Sequence, residues 1–390
     1  MIHHNRTSLF LGILFFLGFL WITSGISFSN EVNILPSLQV GGEYDSNLNF
    51  SRNNEIDDYA GIVIPGFAFS YNTERFKLRS ENSVEVYRYL DETDFDKENQ
   101  YYQLGADYKL TERWNVSASG LYYKDSTLDT FLDETGIVVD QRDRIRYDIA
   151  GGTFYQITEL DQIGADYRYR NVDFREKGRV DYETNSVNLI YNRRLNDRRD
   201  TLRFQPGYVY RDSEDNESDN YSFSVGWLRQ YSETLRSRIV LGVRYTDISY
   251  KNDRPDSDFW GGKADLNLTK NWETTSGTIG YSRDLRGNAD GNLVEVDRFY
   301  CDIRKRIYGR LGAGFKGRLI FSSEEGSNTT SGDTRYFLLS PSIFYNLTEN
   351  HLLRLGYSYA NEDDDSFDDD SISDRHRVWL GFEFNFPFKM

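Results

Sequence analysis

From Ile34 to Phe388 the apolar side chains of this chain fall on alternate positions, in segments of about ten residues. The segment 59–71, YAGIVIPGFAFSY, sets Tyr59, Val63, Phe67, Phe69 and Tyr71 on one face. Trp114, Val116, Ala118 and Tyr122 do the same against Asn115, Ser117 and Ser119. Ile163, Ala165, Tyr167 and Tyr169 oppose Asp166, Arg168 and Arg170, and Leu202, Phe204, Tyr208 and Tyr210 oppose Arg203, Gln205 and Arg211. Leu311, Ala313, Phe315, Leu319 and Phe321 oppose Lys316 and Arg318. The last stretch, VWLGFEFNFPFKM, carries Val378, Leu380, Phe382, Phe384, Phe386 and Phe388 on every second position. A period of two means strands with one dry face, because successive side chains of a strand point to opposite sides.

The connections between these strands alternate in length. Short ones are NTER (72–75), TERW (111–114), TELD (158–161), NDRRD (196–200), SETL (232–235), KNWE (270–273), YGR (308–310) and TENH (348–351). They recur about every 38 residues, one hairpin with its two connections. Between them lie longer polar stretches such as SNLNFSRNNEIDD, DETDFDKEN, SEEGSNTTSGD and NEDDDSFDDDSISD. Short turns on one rim and long loops on the other are the layout of a membrane barrel, whose outward row meets lipid while its inward row meets water. The chain is therefore expected to be all-β, a transmembrane antiparallel up-and-down barrel of about eighteen strands (16–18). In that barrel the last strand closes on the first, and both ends lie on the short-turn side. The stretch 293–307, LVEVDRFYCDIRKRI, alternates poorly and leaves the count open by two.

Composition agrees. Aromatics are 16% of the residues, with 29 Tyr and 26 Phe, and flat side chains suit a pleated surface. The mean hydropathy of −0.66 and net charge of −16 fit a barrel with a wet interior and acidic loops. A soluble sandwich, propeller or solenoid is the competing architecture, but such folds seldom sustain one hairpin period with alternating loop lengths. Cys301 is the single cysteine, so no intramolecular disulfide forms; it shares the outward parity of Phe299 and Ile303.

The first 29 residues have the form of a secretory signal. Arg6 precedes the apolar run Leu9 to Ile22, and Ser27 and Ser29 sit before a cut at Asn30. The run is short of the roughly 20 residues that span a bilayer. Residues 30–390 are then the barrel, and the expected location is the outer membrane of a Gram-negative cell. Lipid of that membrane and its assembly machinery are the expected partners, with no nucleic acid.

No catalytic constellation stands out, and the chain is read as a non-enzyme without cofactor. Beyond residue 30 the histidines are His351, in a short turn, and His376, after the acidic stretch 361–374. His376 beside Asp363 to Asp365 is the nearest approach to a rim-sited hydrolase. No serine accompanies His376 in the final strand, and no phosphate-binding glycine motif occurs. The acidic stretch lacks calcium-loop spacing and is expected to be a solvated, repelling loop, with no metal site.

Parity assigns the inner wall. Candidate pore-lining residues are Arg79, Arg146, Arg168, Arg170, Arg203, Arg244, Arg298, Arg304, Lys316, Arg318 and Arg354. Lys77, Lys109, Arg211, Arg238, Lys263 and Arg377 share that parity. Inward acids are fewer: Glu43, Asp45, Glu81, Glu85, Asp107, Asp148, Asp166, Asp265, Asp302 and Glu383. Mixed charges keep a barrel interior rigid; a basic excess would also favour anions, since charge in a pore sets selectivity.

The segment GGEYDSNLNFS (41–51), a Tyr-Asp-x-Asn after the first strand, resembles the start of the β-barrel porin 2 family. The Tyr-rich hairpins are similar to that family over nearly the whole chain after the signal. The final aromatic strand also resembles the recognition signal of outer-membrane proteins, although Lys389 and Met390 follow Phe388. The family resemblance implies a channel for export of exopolysaccharide or capsule, with that polymer and periplasmic export components as partners. Two readings stay open beside it: a general or anion-selective diffusion porin, and a structural or adhesive barrel with a closed lumen.

Overall fold

A computed structural model describes residues 31–389 except 139–140, 176–178, 196–198, 252, 289–290, 326–332 and 365–371. The expected signal segment, the centre of the acidic stretch and most of SEEGSNTTSGD lie outside the described residues. Eighteen long strands, each 13 to 16 residues, form one antiparallel sheet in which every strand pairs with its neighbours in sequence. They run from β1 (Glu31–Asp45) to β18 (Ile372–Asn385). The sheet closes: β1 pairs with β2 (Asp58–Asn72) on one side and with β18 on the other, Leu38 facing Phe384 and Asp45 facing Arg377. Beyond Pro387 the chain rejoins the ladder as Phe388–Lys389, with Ile34 facing Phe388. The barrel of about eighteen strands expected from periodicity is thus the fold.

One short turn, 214–215, stands on the long-loop rim; the short turns read from the sequence lie on the rim that holds residue 31 and Phe388. There the chain reverses within a few residues, as at Thr73, whose amide bonds to the Phe76 carbonyl (2.8 Å). The outward row is the apolar one. Val40, Val63, Leu104, Ile149, Leu189, Leu241, Val243, Ile343, Leu355, Val378, Leu380 and Phe382 are exposed on the outer wall. Tyrosine and tryptophan flank this belt, as in the row Tyr208, Tyr221, Tyr245 and Trp260 on neighbouring strands. An outward apolar band edged by aromatics is what hydrocarbon between two interfaces selects. Cys301 lies on this outer face of β14 (Leu293–Tyr308), between Ile279 and Gly317. Strands of this length exceed the roughly 9–11 residues that cross a bilayer, so the wall stands above the membrane on the long-loop side.

Two departures from a plain cylinder matter. The connection after β5 (Trp114–Ser126) turns inward, and its helix α1 (Thr127–Glu134) occupies the lumen near the long-loop rim. The outer end of β14 and of β13 (Thr275–Gly287) also leans inward. It brings Val294 and Val296 into one buried cluster with Leu128, Leu132, Phe50, Ile320, Tyr336 and Ala360. The poor alternation of 293–307 has its cause here. Glu295 and Asp297 have outward parity but stand on a hairpin that has left the cylinder.

Candidate functional site

The lumen divides at α1. The sequence STLDTFLDETG (126–136) encodes a short amphipathic helix, with Leu128, Phe131 and Leu132 at helical spacing and acids between them. The helix ends where Gly136 takes φ 75°, and its amide bonds to the Phe131 and Leu132 carbonyls. A left-handed residue after the last turn is a helix stop that glycine makes without strain. The apolar side is fully buried, and Phe131 stacks on Phe174 at 6.0 Å.

The acidic side is held by cations from five strands. Asp129 accepts from Lys97 on β4 (Lys97–Lys109) at 2.9 Å and from Arg375 on β18 at 2.9 Å, with Arg377 at 3.5 Å. Asp133 pairs with Arg318 on β15 (Leu311–Glu325) at 2.5 Å. Glu134 pairs with Arg146 (3.1 Å) and Arg144 (3.6 Å) on β6 (Asp143–Gln156). Arg298 on β14 donates to the Asp133 and Glu134 carbonyls, each at 2.7 Å, so a cation sits where the helix dipole is negative. Burial by itself would raise the Asp129 carboxyl; Lys97, Arg375 and Arg377 outweigh it and hold the group well below its ordinary 3.8. Glu134 behaves alike: burial pushes it up, Arg144 and Arg146 pull harder, and it lies below 4.5.

A second layer fixes these clamps. Arg375 is 1% exposed and grips Asp45 through Nε at 2.9 Å from both oxygens. Arg144 holds Asp125 through two bonds of 3.0 and 2.9 Å. Asp45 also accepts the Asn47 amide (3.1 Å), and Asn47 ties Ser51 and the Asp374 carbonyl at 2.8 Å. The Tyr-Asp-x-Asn segment thus builds a turn that lays Leu48 and Phe50 inside the mouth, where both are buried. Between α1 and the wall remains a polar cavity of about 200 Å³, lined among others by Glu43, Glu85, Lys97, Asn99, Asp129 and Arg377.

All eleven candidate pore residues lie at inward parity, but they do not form one ring. Arg146, Arg298 and Arg318 clamp α1. Arg170 pairs with Asp148 (2.6 Å), which Arg146 also approaches at 3.4 Å. Arg244 is buried against Glu295 (2.9 Å). Arg203 donates to Asn192 (2.8 Å), Arg354 lies 4.0 Å from Glu383, and Arg304 rests on the Phe344 ring at 4.5 Å. Arg79, Arg168 and Lys316 face the lumen exposed, without an ion pair among the described residues. Periodicity missed Arg375, Lys97, Arg144 and all of α1. Lys97 lies in the polar stretch DETDFDKEN, Arg375 directly follows the acidic stretch 361–374, and the signal that could have found α1 is its helical spacing of Leu128, Phe131 and Leu132.

The two described histidines lie apart on the outer side of the wall. His376 lies on the outer rim, bonded to the Tyr357 hydroxyl (2.8 Å) with Asp374 at 3.4 Å. His351 stacks against Phe384 on the outer wall (5.4 Å). Among the described residues no group of His, Cys, Asp and Glu is arranged to hold a metal ion. Glu362, from the acidic stretch, extends β17 (His351–Asp364) and pairs with Arg52 (3.2 Å) instead of lying in a loop.

A family model described as "Putative MetA-pathway of phenol degradation" matches residues 27–191, a different family from the one that 41–51 resembles. No curated protein matches the chain. Among solved structures it is similar to the outer membrane protein opdK from Pseudomonas aeruginosa, at 10% identity and a TM-score of 0.48, covering 92% of this chain and 99% of that one. It is similar to OccAB4 from Acinetobacter baumannii at 12% identity and a TM-score of 0.47, covering 93% and 99%. The copper transporter OprC aligns at 10% identity and a TM-score of 0.47, covering 91% and 80%.

Proposed function

We propose that the protein is an outer-membrane channel for small solutes, preferring anions, whose bore α1 narrows from the outer side. The observation that carries this reading is the uneven pairing of the inner wall. Beside α1 the basic side chains are neutralised by the acids of the helix. Toward the short-turn rim Arg79, Arg168 and Lys316 face the lumen without ion pairs among the described residues. A cation left unpaired in a narrow aqueous bore attracts anions and repels cations. The family that matches 27–191 carries a description naming phenol degradation, and a small aromatic solute falls within the size class of such a bore.

The test is single-channel recording in planar bilayers. The protein should conduct with anion preference, and Arg79→Glu, Arg168→Glu and Lys316→Glu together should turn it toward cations. A cation-selective wild type, or a triple reversal that changes nothing, overturns the reading.

Export of an exopolysaccharide is the second reading, favoured by the same basic lower wall, which would suit an anionic polymer. It needs α1 to leave the lumen, because the helix stands across the path of a chain. A deletion strain separates the two: export predicts polymer retained in the periplasm, whereas the small-solute channel predicts normal surface polymer and slower anion entry.

A further inference from the structure

The wall is unpaired at one long seam. Between β12 (Ser257–Asn271) and β13 the ladder runs from Asn271 facing Ser276 to Ala264 facing Arg283, and stops. Both strands continue. β12 stays paired to β11 (Leu235–Tyr250) as far as Ser257, and β13 to β14 as far as Gly287. Two strand edges therefore face each other without hydrogen bonds between them. The cause is the inward lean of the β13–β14 end. The Gly291 carbonyl, at its tip, accepts from Arg211 Nη1 (2.9 Å) on β9 (Asp200–Ser213) and Asn216 Nδ2 (3.0 Å) on β10 (Asn216–Gln230), reaching past β11 and β12.

Side chains fill the gap in place of the ladder. Arg244 Nη2 reaches Glu295 at 2.9 Å, Arg283 pairs with Glu295 and with Asp297 (3.2 Å), and Lys263 lies 3.9 Å from Asp284. Gly261 makes room for this: a Cβ there would meet the Arg244 guanidinium and a Glu295 oxygen. The seam starts just below the level of Trp260 and runs up to the long-loop rim, so its open edges lie at the outer border of the apolar belt, where an unpaired strand edge is tolerated because it lines a polar cavity. Side-chain latches of this kind rearrange far faster than a strand ladder opens. Where pairing resumes, with Leu266 facing Tyr281, the outer wall is hollowed into a groove of about 790 Å³. Leu241, Leu266, Leu268, Ile279, Tyr281 and Phe299 line it.

We infer that this seam is a lateral passage between lumen and membrane for a small, mainly apolar solute with one polar group, such as an alkylphenol. A sugar or ion would lose its hydration in the apolar groove, and a pure hydrocarbon would gain nothing from the arginine–glutamate latch. A solute with a hydroxyl at one end and an apolar body meets both surfaces in order. The inference rests on a conducting lumen, so the experiment carries an arm for each.

Gly262→Cys and Leu285→Cys, placed in a Cys301→Ser background whose own uptake is the reference, are bridged across the seam with a short bis-maleimide. Bridging is scored by mass, and folding by heat-modified mobility. Uptake of 4-butylphenol and of glucose is then followed in Gram-negative cells expressing the protein. Complete bridging should cut 4-butylphenol uptake several-fold and leave glucose entry intact. Glu295→Gln, which loosens the latch without a bridge, should raise 4-butylphenol uptake. Unchanged 4-butylphenol uptake in the fully bridged protein overturns the passage, as does an equal fall in both solutes. Glucose excluded by every form while 4-butylphenol uptake still depends on the seam leaves the passage standing and removes the hydrophilic-channel reading.

Discussion

The outer and lower halves of the lumen are lined by the same alternating strands, yet their charges do different work. In the outer half Arg375, Arg144, Arg298 and Arg318 are spent on α1 and on buried partners such as Asp45 and Asp125. In the lower half Arg79, Arg168 and Lys316 stand in open lumen. The lesson is that an inward basic excess, counted along a barrel sequence, is not yet a basic pore. Part of it answers acids that the chain itself folds inside.

Stability should expose this contrast most sharply. Arg375→Ala leaves Asp45 buried and unpaired, and removing one partner of a buried ion pair costs about 3–5 kcal/mol. Arg168→Ala, in the lower half, should stay within about 0.5 kcal/mol, as exposed side chains away from special features do. Urea-induced loss of heat-modified mobility in lipid measures both. Equal effects at the two sites would break the comparison.

The lower half owes its stability to the other face of the wall. Phe384 faces outward, paired in register with Leu38 and His351. Because His351 opens β17 at the short-turn rim, Phe384 lies near an interface and Phe384→Arg should cost about 0–1 kcal/mol, whereas Leu380→Arg, four residues further into the wall and facing Leu355, should cost about 2–4 kcal/mol. A folded barrel that accepts Leu380→Arg without loss in the same urea assay would show that the outward row was assigned wrongly.

The smallest effect is expected from pH, and its sign follows from the carboxylates of α1. Asp129 and Glu134 both lie below their ordinary values of 3.8 and 4.5 when docked. Lowered carboxyl groups favour the docked helix fully above those values, and the contribution fades as pH falls toward the docked ones. Conductance should therefore be flat from about pH 8 to pH 5 and rise only in stronger acid, as α1 loosens. A rise already near neutrality would mean that other groups hold the helix.

Much of this molecule was legible in its sequence, and the reasons are specific. Strand parity is local, so Val378 to Phe388 announced the lipid face and Arg168 or Lys316 the lumen without any knowledge of neighbours. Two further signals were present but pointed elsewhere until the fold was seen. Leu128, Phe131, Leu132 and Gly136 spell a short helix between two strands. Asp45 and Asn47, which carry a family resemblance, serve as an anchor for Arg375 and a turn for Leu48 and Phe50.

What the sequence determined alone is the wall: about eighteen strands, their facing and their closure. Alternation, turn spacing and the medium on each side fix those independently of distant contacts. What only the tertiary structure decided is how the space inside is filled and where the wall parts. That α1 lies in the lumen depends on Lys97, Arg298, Arg318 and Arg375 meeting from strands far apart in the chain. That β12 and β13 separate depends on Gly291 reaching Arg211, some 80 residues back in sequence. Such contacts leave no period in a sequence, because their energy comes from charges and carbonyls that closure alone brings together.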